Sequence, residues 1–244
     1  MDIIKSFTYM FKGKHWYYNI IIGSIIAFPL CFSETLLNLA GKAPFEAPYI
    51  MLSLLYGACS LVVGIFLSGF LCANANYRLN NKEENTINWS NLDIILLSGL
   101  KSFLANFIYK IPLFIILGLG LLATLTAMLD LTNINPGAYY STSLKIVNAL
   151  GYLIEIIIIP SFIIDLKLDS FFNFKRIGKL IKNNTSGFLL LLVISLLVTL
   201  IYSICKTKFN IPTVLWIPVD CILTFYMILI KSDLISQFVQ ETDK

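Results

Sequence analysis

Two acidic residues sit where an ionised side chain is costly. Glu155 closes the run Gly151-Tyr152-Leu153-Ile154-Glu155 near the middle of one long apolar stretch, and Asp220 follows Pro218 near the middle of another. At membrane depth a carboxylate costs about 3 kcal/mol on insertion scales, so such residues usually serve a ligand, an ion or a helix contact. Facing one shared cavity, Glu155 and Asp220 could bind a cation, a proton or a polar substrate. The carbonyl that Pro218 leaves without a backbone partner would assist them. Alternatively, each acid bridges helices through a tyrosine such as Tyr109, Tyr152, Tyr202 or Tyr226. The sequence leaves both readings open.

The remaining chemical equipment is sparse. The single histidine is His15. The five cysteines, Cys31, Cys59, Cys72, Cys205 and Cys221, fall singly in or beside apolar runs, with no Cys-x-x-Cys pair. A zinc or haem site needs several such ligands converging, so neither a metal site nor a cofactor is expected, and the cysteines read as small buried hydrophobes. No phosphate-binding glycine loop, nucleophile-histidine-acid set or carboxylate pair in a loop is present. The expectation is therefore a chain without catalytic residues, not an enzyme.

Composition explains what must hold the two acids in place. Hydrophobic residues make up 57% of the 244 and charged ones 13%, with a mean hydropathy of +0.80. A soluble domain carries roughly a quarter charged residues to cover itself in water, so this surface faces lipid. The net charge of +4 comes from positive residues scattered between apolar runs, of which only Arg78 and Arg176 are arginines. That scatter is the pattern of membrane-flanking charge and does not suit nucleic-acid binding. Few arginines with abundant Ile and Asn fit an AT-rich prokaryotic genome. The amino terminus does not read as a cleavable signal, since its apolar run is too long.

About 20 apolar residues cross a bilayer, and six stretches qualify: 16–39, 49–72, 111–129, 144–164, 187–205 and 212–230. The breakers between them include Gly41 to Pro48, Asn133 to Gly137 and Lys206 to Ile211. With the amino terminus cytoplasmic, most Lys and Arg fall on one side, leaving Lys42, Lys145, Lys206 and Lys208 on the other. This predicts a multi-pass protein of the cell membrane with both termini cytoplasmic.

Three further segments are amphipathic. In Asp2 to Lys14, Ile3, Ile4, Phe7 and Phe11 oppose Asp2, Lys5 and Lys12. In Asn91 to Lys110, Leu92, Ile95, Leu96, Leu100, Phe103, Leu104 and Phe107 oppose Asp93, Lys101 and Asn106. In Asp165 to Asn184, Leu168, Phe171, Phe172, Ile177, Leu180 and Ile181 oppose Asp169, Asn173, Arg176, Lys179 and Asn183. Such helices lie in the membrane interface, and their basic faces suit anionic lipid of the cytoplasmic leaflet. Each precedes two spans, giving three units, 1–88, 89–164 and 165–244, of one orientation. The expected fold is an all-α membrane protein in a single domain, residues 1–244: six transmembrane helices plus three interfacial helices in three parallel repeats. Lys110 is expected to snorkel to the surface, Asp165 and Asp233 to cap the segments after them, and Gly57, Gly64, Gly118 and Gly120 to mark close helix contacts.

The opening Phe7-Thr8-Tyr9-Met10-Phe11-Lys12-Gly13-Lys14-His15-Trp16 resembles that of an uncharacterised bacterial and archaeal membrane family, a domain of unknown function. Gly69-Phe70 before Arg78, and Trp89, Asp93, Gly99-Leu100 and Tyr109-Lys110-Ile111-Pro112, are similar to that family's later segments. Thr86-Ile87-Asn88 departs from the Leu-Pro expected before Trp89. In organisation the family is similar to the membrane domains of some glycerophosphodiester phosphodiesterases. The resemblance implies a fold and carries over no catalytic residue. Together these features lead to a transport-associated or scaffold membrane component with a membrane-protein partner. The alternatives are an autonomous small-solute or lipid carrier and, less well equipped, a membrane-embedded lipid enzyme.

Overall fold

The computed structural model describes residues 1–12, 16–40, 47–81, 86–129, 136–208 and 213–242. The expected breakers at 41–46 and 130–135, the centre of the last loop at 209–212, and His15 lie outside them. The chain is all-α. Helix α1 (Ile3–Thr8) continues into a 3-10 turn at Tyr9–Lys12, followed by α2 (Trp16–Ala40), α3 (Ala47–Asn81), α4 (Leu92–Leu129) and α5 (Pro136–Phe162). A second 3-10 turn (Leu168–Phe172) leads to α6 (Phe174–Asn183), α7 (Thr185–Lys208) and α8 (Thr213–Thr242).

Among the described residues, four helices are long and apolar enough to cross a membrane. The number is five if α6 and α7, bent by 96° at their junction, form one broken span. The chain is therefore a multi-pass membrane protein. Successive helices pack as neighbours, α2 on α3, α3 on α4 and α4 on α5, and α8 closes the bundle against α2, α3 and α7.

One of the three amphipathic segments is not a separate element. Residues Asn91 to Lys110 run straight into the next apolar stretch as the 38-residue α4. At the end of α6, by contrast, Asn184 leaves helical geometry at φ −139° and ψ 63°, and its carboxamide oxygen accepts from Gly187 N (2.9 Å) to start α7. No such capping residue interrupts Phe103 to Lys110, so the helix propagates.

Most of the apolar stripe of α4 is turned outward. Leu92, Leu100, Phe103, Leu104 and Phe107 are exposed, whereas Ile95 is buried together with Ser98, Ser102 and Ala105. Between lipid and protein there is no hydrophobic bias, so the small residues that permit close approach take the helix contact. The closest point is Gly69 on Gly99. A Cβ at Gly69 would stand 2.0 Å from the Ile95 carbonyl oxygen, and one at Gly99 would stand 2.0 Å from that of Ile65. Gly57, Gly64 and Gly118, the expected contact glycines, have nothing within 4 Å, and the surroundings of Gly120 lie outside the described residues.

Two apolar clusters fill the interior. One joins α5, α6, α7 and the end of α8, with Phe162 and Phe171 stacked at 4.1 Å. The other joins Tyr9, α2, α3, Trp89 and α8, with Phe70 and Trp89 stacked at 4.5 Å. Gly23 is required there, since a Cβ would meet the Phe225 ring at 2.2 Å.

Candidate functional site

Helix α5 carries Tyr152 and Glu155 three residues apart, which puts both on one face. That face borders a cavity of 190 Å³. Leu67, Ser68 and Leu71 of α3, Ile156 and Ile159 of α5, and Leu191 and Ser195 of α7 form its walls, and Ile228, Lys231 and Ile235 of α8 close it. The walls are mainly aliphatic, and two charged side chains enter.

Glu155 is not bound to a tyrosine. Lys110 Nζ donates to its Oε1 at 3.1 Å, with about a third of each side chain exposed (32% and 35%). Lys110 therefore reaches across from α4 to α5, where lone snorkelling was expected. Gly151 makes the crossing possible, because a Cβ there would press on Lys110 Cε at 3.1 Å. Tyr152 is fixed separately: its hydroxyl donates to the Ser195 carbonyl at 2.8 Å and lies 3.1 Å from Thr199 Oγ1. The Lys231 ammonium stands 4.7 Å from the centre of the Tyr152 ring. That cation–π contact stabilises the ammonium charge.

Asp220 is elsewhere. It is 2% exposed, does not line this cavity, and is flanked by Ile217 and Cys221 of the second apolar cluster. It precedes Lys231 by eleven residues on α8, roughly 16 Å along a helix. The structure thus joins Glu155 to Lys110, Tyr152 and Lys231 and leaves Asp220 apart from them. Lys110 and Lys231 read in the sequence as flanking charge, and only their position relative to Glu155 in three dimensions marks them.

A second polar centre lies at the junction of α1, α3 and α8. Arg78 pairs with Asp233, and its guanidinium carbon sits 3.9 Å over the Tyr9 ring. Asn74 Nδ2 donates to Tyr9 Oη (3.1 Å) and Ser232 Oγ (2.6 Å), while its Oδ1 accepts from Ile87 N (2.9 Å). Gln237 Nε2 donates to Asp233 Oδ2 (2.8 Å), Ser6 Oγ (2.9 Å) and the Asp2 carbonyl (3.1 Å). Burial pushes the Tyr9 phenol up to about 12, which keeps it a neutral donor. Asp233 therefore caps nothing. Helix α8 continues past it to Thr242, because the polar residues after Ile230 find partners inside the bundle.

Asp165 sits in a tight turn beside Leu166, whose φ is 53°. Its carboxylate accepts from Lys167 N (3.1 Å), Ser170 Oγ (2.6 Å) and Arg176 Nη1 (2.9 Å). It forms a turn and an ion pair, not a helix cap. Partial burial pushes its pKa up, but the three hydrogen bonds and the Arg176 charge outweigh this and hold it below the ordinary 3.8.

Among the described residues no three His, Cys, Asp or Glu side chains converge, and Cys31, Cys59, Cys72 and Cys221 are free thiols. In comparison with known proteins, residues 51–207 match the model of a family described as a protein of unknown function, DUF4013. No curated protein and no solved structure matches the chain.

Proposed function

The chain belongs to the DUF4013 family of proteins of unknown function, and from that footing we propose a non-enzymatic, multi-pass accessory component of the cell membrane. In this reading it is associated with transport or with a scaffold, and holds a small ligand between α3, α5, α7 and α8. The observation that carries this is the 190 Å³ cavity with Glu155 and Lys231 at its border. Apolar walls with one or two placed charges are the ordinary make-up of a ligand pocket. Tyr152 and Lys231, the other ionisable groups of the lining, are engaged with Ser195 and with each other, which favours holding a ligand over turning it over.

The same reading uses six spans, α2, α3, α4, α5, α7 and α8. The 27 residues of α5 and 24 of α7 extend about 40 and 36 Å, beyond the roughly 30 Å of a hydrocarbon core. Both termini are cytoplasmic by the Lys and Arg distribution. Lys175, Lys179 and Lys182 of α6 are exposed and suit anionic lipid of the inner leaflet, while α6 buries Ile177 and Leu180 against the bundle. The units 1–88 and 165–244 keep the order of short helix then two spans, and 89–164 has its short helix fused into α4. A likeness in organisation to glycerophosphodiester phosphodiesterase membrane domains belongs to this proposal as fold, not as activity.

The test is a mild native purification from membranes, with mass spectrometry of the proteins and small molecules that accompany the chain. A stoichiometric membrane protein together with a retained small molecule supports the proposal. A chain recovered alone, turning over a lipid without added protein, overturns it in favour of an enzyme.

A further inference from the structure

We infer that the cavity bordered by Glu155 and Lys231 takes the head of a monoanionic amphiphile, a phosphodiester or carboxylate joined to an acyl chain. The inference rests on the ligand-holding reading above and adds the class of ligand.

The charge balance decides the sign. Lys110 and Glu155 satisfy each other at 3.1 Å. Among the described residues no carboxylate lies within ion-pair distance of Lys231, whose ammonium is stabilised only by the face of Tyr152 at 4.7 Å. Two ammonium groups therefore face one carboxylate, and the centre is short of one negative charge. A cation or a neutral solute leaves Lys231 unmatched, whereas one anionic oxygen cluster matches it.

Size and walls decide the rest. At roughly 30 Å³ per water, 190 Å³ has room for about six waters, which suits a headgroup and excludes a whole lipid. Leu71, Ile156, Ile159, Leu191 and Ile235 line the space, so the segment attached to the head is apolar. Leu189, Val193 and Leu196 of α7 are exposed, which leaves the remaining chain in the bilayer along that helix. Tyr152 belongs to the device as a positioning residue. Its hydroxyl is held by Ser195, which keeps the ring under Lys231.

Phosphodiester chemistry could come from membrane lipid or from a soluble organophosphate, so the experiment separates them. The detergent-purified full chain is titrated with phosphatidylglycerol, phosphatidylcholine or the soluble phosphodiester glycerophosphoglycerol, and bound ligand is counted by native mass spectrometry. The expected result is one phosphatidylglycerol per chain, bound about tenfold more tightly than phosphatidylcholine. Lys231→Met should abolish that preference and Lys231→Arg keep it, with thermal melting confirming that both variants fold. Leu71→Phe, which fills the apolar side, should weaken both lipids without changing the preference. Equal binding of the two lipids, unaltered in Lys231→Met, overturns the charge assignment while leaving a ligand-holding cavity. Glycerophosphoglycerol displacing phosphatidylglycerol at equal concentration overturns the amphiphile. No retained ligand of any kind overturns both this inference and the reading beneath it.

Discussion

Arg78 of α3 lies directly against Asp233 of α8, with 7% and 0% of their side chains exposed. The pair is enclosed by Tyr9, Asn74, Ser232 and Gln237, each hydrogen-bonded to another member or to backbone. Three parts of the chain far apart in sequence meet here. The knot fixes the register of α3 against α8, two walls of the Glu155 cavity, and clamps α1 beside them.

Removing one partner should therefore cost far more than removing both. A buried charge left alone costs about 3–5 kcal/mol, while an apolar pair of similar volume is close to neutral. Asp233→Ala is expected to lower unfolding free energy by about that amount, and Arg78→Met with Asp233→Leu to recover most of it. Unfolding in mixed detergent micelles measures both. A double variant as unstable as the single one would show that the pair contributes more than mutual neutralisation.

The α3–α4 crossing gives a sharper local test. Gly69→Ala or Gly99→Ala drives a methyl into backbone that cannot rotate away, an overpacking expected to cost about 1–3 kcal/mol or more. Gly57→Ala and Gly64→Ala add a methyl in open space and should stay within about 0.5 kcal/mol. Comparing the four melting temperatures reverses or upholds the assignment of which glycines set the contact.

Those glycines show what the sequence could and could not carry. Apolar run length indicates an all-α membrane protein, because the bilayer imposes it residue by residue. Rotation of each helix is less legible. On α4 all of the apolar stripe from Leu100 to Phe107 faces out, while Ser98, Ser102 and Ala105 face in beside Ile95, largely the reverse of what a water-soluble rule predicts. Glu155 stands out by its cost alone, but Lys110 and Lys231 look like ordinary flanking charges until Gly151 and Tyr152 bring them to it. Asp233 read as an end of helix because its partners, Arg78 and Gln237, are recognisable only once α3 and α8 are side by side.

The turn at Asp165 should be acid-sensitive. Its folded pKa lies below the ordinary 3.8, so its contribution is present above the unfolded value and is lost as pH falls through the folded one. Hydrogen exchange of residues 165–183, taken relative to the intrinsic rate at each pH, is expected to stay slow at neutral pH and to quicken as pH drops below about 4. Asp165→Asn should show the faster exchange at neutral pH and little further change on acidification. Equal acid response in the variant would assign the sensitivity to another group.

The Lys110–Glu155 pair separates a structural role from a ligand role. Glu155 lies at membrane depth, where the exposed third of each side chain does not meet bulk water, so a charge left there without its partner costs about 3 kcal/mol. Lys110→Met, which leaves the Glu155 carboxylate without its partner, is expected to lower stability by up to about 3 kcal/mol, and its combination with Glu155→Gln to recover most of that. Ligand binding should respond in a direction set by charge. Glu155→Gln frees Lys110, raises the positive charge at the cavity, and should tighten an anionic amphiphile, while Lys110→Met leaves Glu155 to repel it. Gly151→Val, which pushes the lysine stem aside without altering any charge, should resemble Lys110→Met. Strong stability coupling between the two positions with ligand binding unchanged in every variant would make the pair a helix tie and remove it from the ligand site.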